Sequence, residues 1–229
     1  MTVVLPTYRE KNSIRECVDK FAEMNEVQEI IVVNNNAESG TDDVLLNAQK
    51  VRIVYEINQG YGAAIKKGLS ESKSELTAIC EPDGTFEPND LLKLLSYAND
   101  KDLVLGSRTI SSFIFEGANM GPFLKWGNWF VAKLIEVLFN TTYLSDVGCT
   151  FRILSRNFKD KLNNTSMTNS GYYGLQMMLF AIKNDFQYVQ IPVHYKKRVG
   201  ESASTGSFIK ALILGLEMIR EVLYQRIRP

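Results

Sequence analysis

Histidine occurs once in the 229 residues, cysteine three times and proline six times. The cysteines, Cys17, Cys80 and Cys149, are far apart, odd in number and without a C-x-x-C pair. They offer neither a zinc site nor a disulfide framework, and read as reduced thiols in a cytosolic protein. A surplus of one charge is also missing, since 26 basic and 26 acidic residues cancel to a formal net charge of +0. Proteins that hold nucleic acid through its phosphates carry a basic excess, so nucleic acid is not an expected partner. No apolar run approaches the roughly 18–20 residues that span a bilayer. The opening Val3-Val4-Leu5 follows no basic and long apolar leader, so no signal peptide is expected. What is there is an ordinary globular balance, 45% hydrophobic and 23% charged, which supports a packed core and small-molecule chemistry.

The first half alternates short β-branched runs with helical patterns, which predicts strand-helix-strand units around a mostly parallel sheet. Strands are expected over residues 2–5, 29–33, 51–56, 76–80 and 103–105, and helices over 14–22, 41–49, 61–72 and 89–99. Ser13 and Glu16 have the spacing of a capping box at the first of these helices. The second half carries an aromatic and apolar segment over 113–139, a polar loop over 163–170, a helix near 172–183, a strand over 188–195 and a long closing amphipathic helix from Ser207. In open α/β sheets ligands sit beyond the carboxyl ends of the strands. The loops of interest therefore begin at Pro6, Asn34, Ile57, Glu81 and Gly106.

The sharpest of these loops is Glu81-Pro82-Asp83-Gly84-Thr85, directly after an apolar strand. Two carboxylates one residue apart at a strand end can meet one divalent ion, and hard oxygen ligands select Mg²⁺ or Mn²⁺. Such an ion neutralises a departing diphosphate without a proton donor. The same residues would also serve as a solvated turn.

Taken with the segments Pro6-Thr7-Tyr8-Arg9-Glu10, Asn34-Asn35-Asn36, Asn58-Gln59-Gly60-Tyr61-Gly62, Gly106-Ser107-Arg108, Asp146-Val147-Gly148-Cys149-Thr150-Phe151 and Arg198-Val199-Gly200-Glu201-Ser202, the chain resembles glycosyltransferase family 2, and within it the dolichyl- and polyprenyl-phosphate mannose and glucose synthases. The resemblance covers nearly the whole chain. It implies a single GT-A domain over residues 1–229, an α/β fold with a mostly parallel central sheet flanked by helices. Residues 1–110 would be its nucleotide-binding half, and 111–229 its acceptor-side half with the closing helix. It also implies that Pro6, Tyr8, Glu10, Asn34, Asn35, Gly60, Pro82 and Ser202 bind the nucleotide-sugar, and that Glu81 and Asp83 hold the metal and contribute to donor binding. Asp83, Arg108, Asp146 and Arg198 would carry the chemistry, with the two arginines on phosphate and Asp146 as base or orienting carboxylate.

The chain makes three departures from the family pattern. Glu81 stands for the first aspartate of the metal motif, the three asparagines replace base- and ribose-contacting acids, and Ala203 replaces a lysine. A UDP-sugar is favoured over a GDP-sugar. Arg152, Lys196 and Lys197 could extend a phosphate-binding rim, although the two lysines read better as surface cations. His194 reads as a packed strand histidine and Cys149 as a core residue. The aromatic segment, with Trp126, Trp129, Lys125 and Lys133, could lie in a lipid interface, and the closing helix would serve equally for core packing, a homodimer seam or peripheral contact at the cytosolic membrane face. The expected reaction is inverting transfer of a sugar to a polyprenyl phosphate. A soluble glycan-extending transferase and a silent nucleotide-sugar-binding module are the alternatives.

Overall fold

In a computed structural model, residues 1–118, 120–200 and 208–227 are described. The apolar runs form the centre of the sheet: β1 (Thr2–Thr7), β2 (Glu29–Asn34), β3 (Val51–Tyr55) and β4 (Leu76–Ile79) pair in parallel around β1. In β2, Ile30, Ile31, Val32 and Val33 are all buried, as expected of a parallel strand covered on both faces. Beyond β4 the order continues through β6 (Arg152–Ser155), β5 (Leu103–Ser107) and β7 (Tyr188–Pro192), giving β3-β2-β1-β4-β6-β5-β7. β6 runs antiparallel to both of its neighbours.

The helices α1 (Ile14–Ala22) and α3 (Asp90–Leu95) cover one face, where Phe21, Leu91 and Leu94 meet Val3, Leu5 and Val32. The opposite face takes α2 (Tyr61–Glu71), α5 (Arg156–Asn163) and α6 (Tyr173–Lys183), where Leu69, Phe158 and Met178 pack with Leu103 and Leu154. The aromatic segment contains α4 (Pro122–Phe139), started by proline at its first turn and ended by Asn140 in the left-handed conformation. α4 packs against α7 (Phe208–Ile227).

Several expected boundaries moved. The helix over 41–49 is only a 3₁₀ turn at Asp43–Leu45, because Asn47 and Lys50 take φ of 62° and 60° and stop any helix. The strand expected to reach residue 195 ends at Pro192, and Tyr195 makes isolated bridges to Phe86 and Ile114. The capping box does not form, since no side-chain cap is present at Ser13. Its hydroxyl instead donates to the Pro82 carbonyl at 2.7 Å, tying the start of α1 to the Glu81–Asp83 loop.

Helix α2 comes close to the sheet at Gly68. A Cβ there would lie 2.2 Å from Val4 Cγ1 and 3.0 Å from Val33 Cγ2. Gly68→Ala should therefore destabilise the protein by about 1–3 kcal/mol despite the better helix propensity of alanine. Urea unfolding of both proteins checks this, and an unchanged or raised midpoint would contradict the packing described.

Candidate active site

The carboxyl ends of β1, β2, β4 and β5 open on one cavity of about 630 Å³. Its polar end is lined by Pro6, Glu10, Asn35, Gln59, Glu81, Arg108, Arg152 and Arg198. An apolar wall comes from α4 and α7, with Phe123, Leu124, Phe130, Leu212 and Leu216 in it, and residues 170–172, 174 and 175 around the start of α6 add to the lining. The space thus has a charged end at the strand termini and an apolar flank between two helices.

At the charged end, the Glu10 carboxylate is fixed by its own loop. Its Oε2 accepts from the backbone N–H groups of Tyr8 at 2.7 Å and Arg9 at 2.8 Å, while Oε1 accepts from Arg198 Nη2 at 2.7 Å. Asp83 is fully buried, and its Oδ1 accepts from the Thr85 N–H at 2.9 Å and the Thr85 hydroxyl at 2.5 Å. Its Oδ2 lies 2.6 Å from Arg198 Nη1 yet receives no well-directed hydrogen bond among the described residues, so this contact is charge against charge. Glu81 Oε2 lies 3.7 Å from the same Nη1. Burial, and then the Asp83 carboxylate, push the Glu81 pKa up, with Arg198 opposing them. One guanidinium therefore stands among three carboxylates.

This arrangement fits a divalent ion. Among the described residues no set of three or more His, Cys, Asp and Glu side chains forms a metal site by itself. However, Mg²⁺ and Mn²⁺ beside nucleotides need only one or two protein carboxylates, with phosphate oxygens and water completing the shell. Glu81 and the underbonded Oδ2 of Asp83 supply such a pair.

Asp146 and Arg108 form a second, separate unit. Arg108 donates from Nε to Oδ2 at 2.9 Å, from Nη2 to Oδ1 at 3.0 Å and from its backbone N–H to Oδ2 at 2.9 Å, and the Gly148 N–H adds a fourth bond to Oδ1 at 2.9 Å. Burial alone would raise the Asp146 pKa, but the Arg108 guanidinium overrides it and holds the carboxyl below its usual range. Arg108 lies over the Tyr195 ring at 5.1 Å. A carboxylate so fully occupied is a poor proton acceptor and a good anchor for a guanidinium.

The asparagine loop is largely self-contained. Asn35 donates to the carbonyls of Glu56 at 2.7 Å and Asn58 at 2.8 Å, and its Oδ1 accepts from the Gly60 N–H at 2.9 Å and from Gln59. Asn34 donates to Asp42 and accepts from the Ala37 N–H, away from the cavity wall. Tyr8 and Gly60 line the cavity, whereas Pro82 and Asp83 sit behind it and Ser202 lies outside the described residues. Arg152 is buried and donates to the carbonyls of Cys149, Val147 and Gly174 rather than to a carboxylate. His194 pairs with Asp90 between the rings of Phe113 and Phe115, Lys196 pairs with Glu87, and burial pushes the Cys149 thiol up to about 12. Tyr61, Asn128 and Tyr195 also line the cavity; the sequence places Tyr61 in a segment that carries the family resemblance, without a role, and offers no signal for the other two. Only the aromatic spacing of the 113–139 segment hinted at the apolar wall.

Residues 2–162 match the profile of a family described as glycosyl transferase family 2. Among characterised relatives, a low-salt glycan biosynthesis hexosyltransferase of Haloferax volcanii is 25% identical over 208 residues, which are 88% of this chain and 49% of that protein, so the chain spans about half of that relative's length. A polyprenol monophosphomannose synthase of Mycolicibacterium smegmatis is 24% identical over 229 residues, covering 91% of this chain and 82% of that protein. Among solved structures, glucosyl-3-phosphoglycerate synthase of Mycobacterium tuberculosis in complex with Mn²⁺, UDP and its product superposes with a TM-score of 0.75 at 15% identity, over 100% of this chain and 80% of that one. With the GT-A arrangement of the sheet and the family profile spanning most of its length, this chain belongs to glycosyl transferase family 2 and is a glycosyltransferase.

Proposed function

We propose that the enzyme transfers a hexose or N-acetylhexosamine, with inversion, from a UDP-sugar to a polyprenyl phosphate, with Mg²⁺ or Mn²⁺ held by Glu81 and Asp83. The observation that carries this reading is the two-ended cavity, whose arginines suit an acceptor phosphate and whose α4–α7 flank suits an apolar chain. The Mycolicibacterium smegmatis relative is named for the same acceptor class.

In this reading Pro6, Tyr8, Glu10 and Gly60 surround the nucleotide. Asn35 lines the same end of the cavity, and the loop residues Asn34 and Pro82 support its walls from behind. A phosphate oxygen of the acceptor attacks the anomeric carbon as the bond from that carbon to the diphosphate oxygen breaks. The electron pair leaves with the nucleoside diphosphate. The bound divalent ion supplies charge neutralisation for that leaving group. Arg108, aimed by Asp146, meets phosphate with a two-pronged contact, and Arg198 adds a second cation. The second pKa of a phosphate monoester is near ~6, so at neutral pH the nucleophile needs no base. The occupied, low-pKa state of Asp146 is consistent with this, and it argues against a sugar hydroxyl, which would need a proton acceptor.

Peripheral membrane contact is part of the proposal. Among the described residues no helix is long and apolar enough to cross a membrane. Trp126, Trp129 and Phe130 on α4, beside Lys125 and Lys133 of the same helix, are nevertheless exposed, as are Ile209 and Ile213 on α7. Aromatic side chains beside lysines suit the headgroup layer.

Calorimetry should find UDP binding in the presence of Mn²⁺ and its loss with EDTA, and Asp83→Asn should weaken metal-dependent binding at least about tenfold. Metal-independent binding of equal strength would remove the ion from the reading. Arg108→Lys should lower kcat about 100-fold on a polyprenyl phosphate acceptor, because lysine keeps the charge but not the fork. Wild-type turnover in that variant would exclude Arg108 from the reaction. Trp126→Ala with Trp129→Ala should reduce cosedimentation with vesicles containing anionic lipid, and undiminished binding would place the membrane contact elsewhere.

A further inference from the structure

The guanidinium of Arg198 lies against the two carboxylates, Glu81 and Asp83, that would hold a divalent ion. Its Nη1 is 2.6 Å from Asp83 Oδ2 and 3.7 Å from Glu81 Oε2, and its Nη2 is 2.7 Å from Glu10 Oε1. The contact with Asp83 is close but poorly directed, since neither Asp83 Oδ2 nor Arg198 Nε finds a hydrogen-bond partner among the described residues. An arginine placed for directional bonding would satisfy these atoms. This one is well bonded only through its Nη2 to Glu10, while Nη1 meets Asp83 and Glu81 as charge against charge.

We propose that Arg198 is a built-in counter-cation that occupies the carboxylate cluster of the unliganded protein and competes with the divalent ion for it. The proposal rests on the assignment of the ion to Glu81 and Asp83 and adds an order to it. Leaving three carboxylates close together without a cation would be costly in a poorly solvated pocket. Arg198 removes that cost and keeps the loop assembled without metal. A free divalent ion must displace the guanidinium and so binds weakly. An ion that arrives with a nucleotide diphosphate brings phosphate oxygens that complete its shell and accept the displaced guanidinium, so it binds well. The exchange makes Arg198 available to phosphate only after the donor is in place.

The local backbone is suited to such an exchange. The Val199 N–H donates to the Asp83 carbonyl at 2.9 Å and the Lys196 N–H to the Thr85 carbonyl at 2.7 Å, so main-chain bonds hold the segment against residues 83–85 independently of the ion pairs. Gly84 takes φ +79°, and a Cβ there would come within 3.2 Å of Val199 Cγ2, so the two segments pack closely. The long side chain can change partners while its backbone keeps its place.

The test is binding of Mn²⁺ alone to the full chain, followed by the loss of free-ion electron paramagnetic resonance signal, for wild type, Arg198→Met and Arg198→Ala. Removing the competitor should tighten Mn²⁺ binding about tenfold in both variants, and adding Asp83→Asn should abolish the gain. Equal or weaker binding in folded variants, with Mn²⁺ and UDP still binding together to the wild type, would overturn the competition while leaving the metal assignment intact. Failure of Mn²⁺ to bind any form even with UDP would overturn both. If the variants do not fold, the wild type still decides the matter by nuclear magnetic resonance. Mg²⁺ with UDP should shift the Arg198 side-chain Nε–Hε resonance, and an unmoved resonance at saturation would refute the exchange.

Discussion

Parallel pairing around β1 is the constraint on which the site depends. Because β2, β3 and β4 run in the same direction as β1, the loops after Thr7, Asn34, Tyr55 and Ile79 all leave from one edge. Residues far apart in the chain, such as Glu10 and Arg198, can then share a hydrogen bond. The antiparallel β6 has a complementary effect. Entering the sheet in the opposite sense between β4 and β5, it places the preceding loop, with Asp146 and Gly148, at that same edge beside Arg108. Such a sheet cannot assemble locally, since its pairings join residues tens of positions apart, and its cost in chain entropy is met by strands buried on both faces.

Much of this was legible in the sequence because the signals were strong and local. The runs Val3-Val4-Leu5 and Ile30-Ile31-Val32-Val33 admit little but buried strands, and the helical spacing of Ile14, Cys17, Val18 and Phe21 is the face that packs. What was misread involves competition between local and distant partners. Ser13 had the spacing to cap its own helix, but its side chain is turned to donate to the Pro82 carbonyl, 69 residues away, and accepts no helix N–H. The segment over 41–49 had helical composition, but Asp42 is engaged by Asn34 and Tyr55, and the backbone turns left-handed at Asn47.

The site was legible as a set of loops and less so as a geometry. Sequence order put Glu81, Asp83, Arg108 and Arg198 on candidate loops, but spacing carries no information about which carboxylate meets which arginine. In the structure they separate into a saturated pair, Arg108 with Asp146, and an underbonded cluster around Arg198. The first is rigid because every polar atom of the carboxylate has a donor. The second has room for exchange because, among the described residues, Asp83 Oδ2 lacks a well-directed donor and Arg198 Nε lacks an acceptor. The apolar wall was the least visible feature, since α4 and α7 show hydrophobic patterns that fit core, partner or lipid equally, and only their packing beside the charged loops gives the cavity its amphiphilic character.

The strut at Asn35 has a consequence for how the nucleotide end responds to its surroundings. Its amide donates to two carbonyls and accepts from the Gly60 N–H, joining the β2 loop to the start of α2. A carboxylate at this position could accept but could not donate, and it would titrate. The amide itself has no charge to lose, so the bonds that Asn35 makes do not depend on its own protonation. It also adds no negative charge to a pocket that already gathers three carboxylates, which makes the protein's own electrostatic opposition to a polyanionic ligand smaller than an acidic loop would make it.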